Sequence, residues 1–213
     1  RVTAMAGEGA APVVAVDTGA LGGMYASRIR LISSDKGVGV NLGNLNARQG
    51  DITLDASGKL TVQNSLASGS MNVSGQDIAL NNGTFASDNN IALNSDGKLT
   101  LSNSRLTAGN DLNLNAQDLT QDGRSSVNTA RDISAQVAGT ITNQGQLIAG
   151  NNAAISSGSL SNSGKIAAKG TSSISTVKKL SNAAGGEILS DEALVVSAED
   201  IRQIGTKKKK KSL

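Results

Sequence analysis

The 213-residue chain contains no Cys, no His and no Trp, and only one Pro (Pro12), one Tyr (Tyr25) and one Phe (Phe85). Each shortage closes off a class of function. Without cysteine there is no disulfide framework, no thiolate catalysis and no cysteine metal site. This also suits a chain that must cross an oxidising space without crosslinking. Without histidine there is no Ser–His pair, and no S-x-x-K frame stands out in its place. With so few rings, the core must come from many Ile, Leu and Val methyl groups. At about 25 cal/mol per Å² of apolar surface, that takes many small repeated burials rather than a few large ones. No apolar run approaches the roughly 18 residues of a membrane span.

The chain is also short of charge in its body. The net charge is +3, but Lys207 to Lys211 supply five of the 20 Lys and Arg, and without them 15 bases stand against 17 acids. The body therefore lacks the electrostatic footprint of nucleic-acid binding. The lysine run is expected to be solvated, with residues 207–213 a disordered or artefactual basic tail from a frameshift or cloning remnant. A start at Arg1 with no signal peptide leads to the same expectation of a fragment or an interrupted reading frame.

What is present is repetition. From Gly50 the chain divides into units of about 20 residues, beginning GDITLDASGKLTVQNSLASG, SMNVSGQDIALNNGTFASD and NNIALNSDGKLTLSNSRLTAG. Each carries three apolar clusters: Ile52 with Leu54, Leu60 with Val62, then Leu66 in the first unit; Ile91 with Leu93, Leu99 with Leu101, then Leu106 in the third. Spacing of i, i+2 within a cluster is strand periodicity, and the Gly, Asn, Asp and Ser between clusters are turn formers. Three short strands per unit predict an all-β parallel β-helix. With coils about 4.8 Å apart, roughly eight or nine of them make a rod near 40 Å long. The frame of leucine-rich repeats is not sustained, and a sandwich would want aromatics and hairpin turns.

Aligned by eye, the units place Asn64, Asn82, Asn103, Asp122, Asn143, Asn162 and Asn182 in one column after the second cluster. A second column precedes the first cluster: Asp51, Asn72, Asn90, Asp111, Asp132 and Asn152. Stacked amides hydrogen-bond along a column, and asparagine tolerates the left-handed turn conformation, so the first column is expected to be a structural turn ladder. The rival reading is an enzyme. Asp111 and Asp132 in adjacent coils could raise one another's pKa or recruit a cation, as in polysaccharide lyases and hydrolases built on this fold. The neutral members of the column, and the lack of an Asp triplet or a G-G-x-G-x-D repeat, weigh against it. No catalytic, cofactor-binding or metal residue is therefore assigned. GVGVNLG, residues 37–43, lacks the third glycine of a dinucleotide fingerprint and reads as strand and turn. Asn72-Val-Ser and Asn82-Gly-Thr match the glycosylation sequon, as chance allows in such a composition.

The segment VDTGALGGMYASRIRLISSDKGVGVNLG, residues 16–43, resembles the start of the haemagglutinin-repeat region of two-partner secretion exoproteins, the filamentous haemagglutinins and contact-dependent growth inhibition toxins. The matching block is Ala20, Leu21, Gly22, Gly23, Met24 and Tyr25, followed by Ile29-Arg30-Leu31 and Gly37-Val38-Gly39-Val40, and residues 142–150 look like one haemagglutinin repeat. The resemblance implies a right-handed parallel β-helix, with residues 1–49 opening the repeat region and 50–206 forming its body. It further implies a non-enzymatic stalk segment of an adhesin or toxin carrier, secreted to the bacterial cell surface. The implied partners are an outer-membrane transporter barrel, engaged through a secretion domain elsewhere, and a host or neighbouring bacterial surface. The isolated chain is also expected to associate end to end.

Overall fold

The computed structural model describes residues 2–4, 14–17 and 23–203. Within them every element is a strand, and every strand pairing is parallel. The strands form three ladders that wind into a parallel β-helix of about nine turns. Each turn visits a first, a second and a third face before rising to the next coil.

The inward columns show why this composition folds. On the first face Leu31, Leu54, Val73, Leu93, Leu114, Ala135, Ile155 and Ile174 stack in register. On the second, Val40, Leu60, Ile78, Leu99, Leu119, Ile141, Leu160 and Leu180 do the same. Alternation turns every second side chain outward, so Ile52–Ala56 reads buried, half-buried, buried, exposed, buried. The inward residues join in one continuous core from Ile29 to Leu180. Each coil contributes only a few methyl-bearing side chains and depends on its neighbours to cover them.

The third face departs from expectation. Leu66 does not join the core: it is 44% exposed, and Ser65 points inward in its place. The register decides this, because Leu45–Ala47 aligns with Ser65–Ala67, and the buried Ala67 forces its neighbour outward. Ser65 lies directly beneath Phe85, the one phenylalanine and a fully buried ring. A small residue under a large one fits the narrow lumen. The Ser65 hydroxyl has no hydrogen-bond partner there. GVGVNLG is strand and turn, with Val38, Val40 and Leu42 buried.

Close stacking also sets a glycine. At Gly83, between the second and third faces, a Cβ would collide with the Gln63 carbonyl and the Asn64 carboxamide of the coil below. No helix among the described residues is long and apolar enough to cross a membrane.

Candidate functional site

The column expected after the second face is two columns. The outer one runs Asn44, Asn64, Asn82, Asn103 and Asp122 at the turn between second and third faces. Asn44, Asn82 and Asn103 adopt left-handed backbone angles, with φ of 37°, 50° and 45°, a region asparagine enters at lower cost than other side-chain-bearing residues. Asn64 Nδ2 donates to Asn44 Oδ1 at 3.0 Å, and Asn103 Nδ2 to Asn82 Oδ1 at 3.2 Å. Between these pairs the Thr84 N–H donates to Asn64 Oδ1 at 2.9 Å. Water reaches this turn.

Asn143, Asn162 and Asn182 are not in that column. The register places Asn143 over Gln121, Gln121 over Leu101, and Asn162 and Asn182 further along the same inward line. This is the column that begins Leu42, Val62, Leu80 and Leu101. All three asparagines and Gln121 are buried inside the rod. Their amides form a chain with one direction. Gln121 Nε2 donates to Asn143 Oδ1 at 3.0 Å, Asn143 Nδ2 to Asn162 Oδ1 at 2.9 Å, and Asn162 Nδ2 to Asn182 Oδ1 at 2.9 Å. Each also ties the second face to the start of the third: Gln121 to the Gln146 carbonyl, Asn143 to Lys165 and Asn162 to Glu187. At the lower end of the chain Gln121 Oε1 faces the apolar column with no partner.

Gln121 was absent from the expected column, yet a signal for it exists. In the lower coils the asparagine follows the buried aliphatic by four residues, as in Leu60 to Asn64 and Leu99 to Asn103. In the upper coils the spacing is two, as in Leu119 to Gln121, Ile141 to Asn143 and Leu160 to Asn162. A spacing of two keeps a residue on the same side of a strand.

Asp122 closes the outer column. Burial raises its carboxyl pKa, but hydrogen bonds from the Ser125 hydroxyl and the Asn103 and Arg124 backbone N–H groups, together with the Arg124 charge, outweigh that and hold it below the ordinary value.

The column at the turn from third to first face caps backbone. Asp51 Oδ1 accepts from the Ser70 N–H at 2.8 Å, Asn90 Oδ1 from Asp111 at 3.1 Å, Asp111 Oδ1 from Asp132 at 3.0 Å and Asp132 Oδ1 from Asn152 at 3.0 Å. Asn72 is misplaced in the expected alignment. Ser70 occupies its place, and Asn72 stands outward within the strand Met71–Gly75. Asp111 and Asp132 thus each hold the next coil through Oδ1, and Asp132 Oδ1 also accepts from Asn151 Nδ2 at 2.9 Å. No group of three or more acidic residues among the described residues could hold a metal ion. Of the block at 20–25, Ala20, Leu21 and Gly22 lie outside the described residues. Met24 packs against the core, and Tyr25 stands 60% exposed in the strand Met24–Ala26.

The repeat seen in these coils has a counterpart among known proteins. The family model for the haemagglutinin repeat matches residues 10–64, 55–123 and 107–211. The chain belongs to the haemagglutinin-repeat family. Among curated proteins, a tRNA nuclease CdiA of Escherichia coli strain STEC_O31 is 45% identical over 182 residues, 76% of this chain and 6% of that protein. A toxin CdiA of Escherichia coli is 44% identical over 186 residues, 78% of this chain and 6% of that protein. A 16S rRNA endonuclease CdiA of Enterobacter cloacae is 42% identical over 187 residues, again 78% and 6%. The haemagglutinin-repeat chain thus spans about 6% of the length of these curated relatives. No solved structure matches it.

Proposed function

We propose that this chain is a shaft segment of a large bacterial exoprotein, carrying a toxin or an adhesive part away from the cell that makes it. The observation that carries this reading is an uninterrupted β-helix, from Ile29 to Gln203, that aligns with a small fraction of much longer relatives named as toxins. Such a rod has reach and stiffness, because each coil is clamped by full ladders to the coils on either side. The relatives also support export across the outer membrane through a transporter barrel and display at the cell surface, facing a host or neighbouring cell. Vectorial stacking, coil upon coil as the chain emerges, would favour export without an external energy source.

In this reading the amide columns are architecture. Residues 1–49 open the repeat region, residues 50–206 continue it, and the nuclease chemistry named for the relatives lies in other parts of those proteins. The test is an in-frame deletion of whole coils, such as the residues equivalent to 52–132, from a full-length exoprotein carrying this segment. Removal of four coils at about 4.8 Å each must shorten the surface filament by about 20 Å, seen by cryo-electron tomography, while the protein still reaches the surface. Unchanged filament length would refute the shaft reading. Loss of export would refute the claim that these coils are passive in secretion.

A further inference from the structure

The corner between the first and second faces is not the same in every coil. From Ser57 to Thr140, coils with three corner residues, Ser57-Gly58-Lys59, Asp96-Gly97-Lys98 and Ala138-Gly139-Thr140, alternate with coils that have two, Gln76-Asp77 and Gln117-Asp118. An aspartate makes up for the missing residue: Asp77 Oδ1 accepts from the Lys98 N–H at 2.7 Å, and Asp118 Oδ1 from the Thr140 N–H at 2.8 Å. Backbone bonds stack the corners in the order Gly58, Gln76, Gly97, Gln117 and Gly139. The Gln76 N–H donates to the Gly58 carbonyl at 3.0 Å, Gly97 to Gln76 at 2.7 Å, Gln117 to Gly97 at 2.9 Å and Gly139 to Gln117 at 2.7 Å. Gln76 and Gln117 thus each stand between two residues without side chains, and two coils separate them, about 10 Å along the rod.

Around Gln117 this alternation leaves a groove of about 510 Å³ on the flank of the rod. Asp96 borders it on the coil below and Ala138 on the coil above. Asn115, Gln136 and Ser156, stacked in register, border it on the outward side of the first face. The strand pairing shifts register here, between Val137 and Thr140. Asn115 Nδ2 donates to Asn94 Oδ1 at 3.0 Å. Among the described residues, the carboxamides of Gln117 and Gln136 and the Asp96 carboxylate have no partner. No Lys, Arg or aromatic side chain lines the groove. The stretch from Gln76 to Ser156 has two further coils on either side, with first-face strands Ile29–Ser33 and Ile52–Ala56 below and Thr171–Thr176 and Ala193–Ser197 above. Its shape is set by its own coils.

We propose that this corner binds an extended β-1,4-linked glycan bearing acetamido groups, laid along the rod with Gln76 and Gln117 reading every second sugar. A site of carboxamides and one carboxylate, without bases, suits a neutral ligand rich in hydroxyl and amide groups. A carboxamide donates and accepts at once, so a glutamine pairs with an acetamido group through both its oxygen and its nitrogen. In an extended β-1,4-linked chain successive sugars turn opposite sides outward, so acetamido groups face one way at every second sugar. The rise of that disaccharide nearly equals two coils, which is the spacing of Gln76 and Gln117. The glycines above and below each glutamine leave room for the neighbouring sugars to lie against backbone. With no ring to stack on, a single sugar is held weakly, and strength comes from engaging both glutamines on one chain. The flank then contacts glycan in its own right, whatever the rod carries.

The test titrates N-acetylchitohexaose into the full chain and follows the glutamine side-chain NH2 signals by nuclear magnetic resonance, with circular dichroism as the control for folding. The Gln76, Gln117 and Gln136 signals must shift saturably. The hexaose must bind at least about tenfold more tightly than N,N′-diacetylchitobiose, which reaches one glutamine only. Cellohexaose, of equal length but without acetamido groups, must bind about tenfold more weakly. Gln117→Ala must weaken hexaose binding about tenfold, and Ala138→Arg, which fills the groove without removing an amide, must abolish it. Asn128→Ala, on the outward side of the third face, must leave it unchanged. Chitin and bacterial wall glycan stripped of its peptides share this backbone chemistry. Retention of the chain on either one supports the site and names the source, and retention on neither overturns it. The proposal is also overturned by the absence of a saturable shift, by cellohexaose binding equally, by Gln117→Ala or Ala138→Arg binding like wild type, or by Asn128→Ala losing binding.

Discussion

Truncating Asn162 to alanine should be among the most damaging single changes in the upper coils, although it removes no aliphatic group. Asn162 is completely buried. Its Nδ2 donates to Asn182 Oδ1 at 2.9 Å, to the Glu187 carbonyl at 3.1 Å and to the Gly164 carbonyl at 3.3 Å, while its Oδ1 accepts from Asn143 Nδ2 at 2.9 Å. Asn143 keeps two other acceptors after the change, the Gly145 and Lys165 carbonyls. Asn182 Oδ1 and the Glu187 carbonyl lose a donor inside the rod. At about 1–3 kcal/mol for each buried group left unsatisfied, the loss is about 2–6 kcal/mol. The matched control is Asn103→Ala in the outer column, which removes one exposed amide bond at 3.2 Å. Water replaces that partner, so the hydrogen bond costs about 0.5–1.5 kcal/mol, with about 1 kcal/mol more for alanine in a left-handed turn. Urea unfolding followed by far-ultraviolet circular dichroism gives both values, and hydrogen exchange localises the first to the coils around Glu187. Equal costs for the two variants would refute the distinction between a buried and a solvated ladder.

Replacing Gln121, Asn143, Asn162 and Asn182 together with leucine should cost more than Asn162→Ala alone, because the column then repeats Leu80 and Leu101 below it but takes the side-chain donors from the Gln146, Lys165 and Glu187 carbonyls and the side-chain acceptor from the Gly145 N–H; urea midpoints decide. Ser65→Ala should be neutral or stabilise by about 1 kcal/mol, since it removes a buried hydroxyl without a partner, whereas Leu66→Lys on the outer surface should stay within about 0.5 kcal/mol. The lowered pKa of Asp122 means its contribution is fully present above the unfolded-state value of about 3.9 and is lost as pH falls through the folded value. The stability gap between wild type and Asp122→Asn should therefore narrow on acidification below about pH 4, which thermal melts across that range will show. Asp111→Asn keeps the acceptor for the Asp132 N–H and should leave stability nearly unchanged, while Asp111→Ala should cost about 1 kcal/mol.

The inward face of most strands was legible in the chain. Ile52, Leu54, Leu60, Val62, Ile91, Leu93, Leu99 and Leu101 all lie in the core, because alternation over a few residues is a local property that neighbouring coils repeat. The misreadings were failures of phase. Leu66 looked like a core residue because it is the larger of two neighbours, but the pleat inherited from Leu45–Ala47 puts Ser65 inside beneath Phe85. Asn143 looked equivalent to Asn103 because both follow an aliphatic cluster, although one follows by two residues and the other by four.

Repetition, the scarcity of rings and the i, i+2 pattern by themselves pointed to a parallel β-helix, because the frame of leucine-rich repeats is not sustained and a sandwich would want aromatics and hairpin turns. Which asparagines face water and which are sealed in the lumen was decided only by the stacked coils. A side chain's partners in this rod lie about 20 residues away, and a shift of one residue in register exchanges inside for outside.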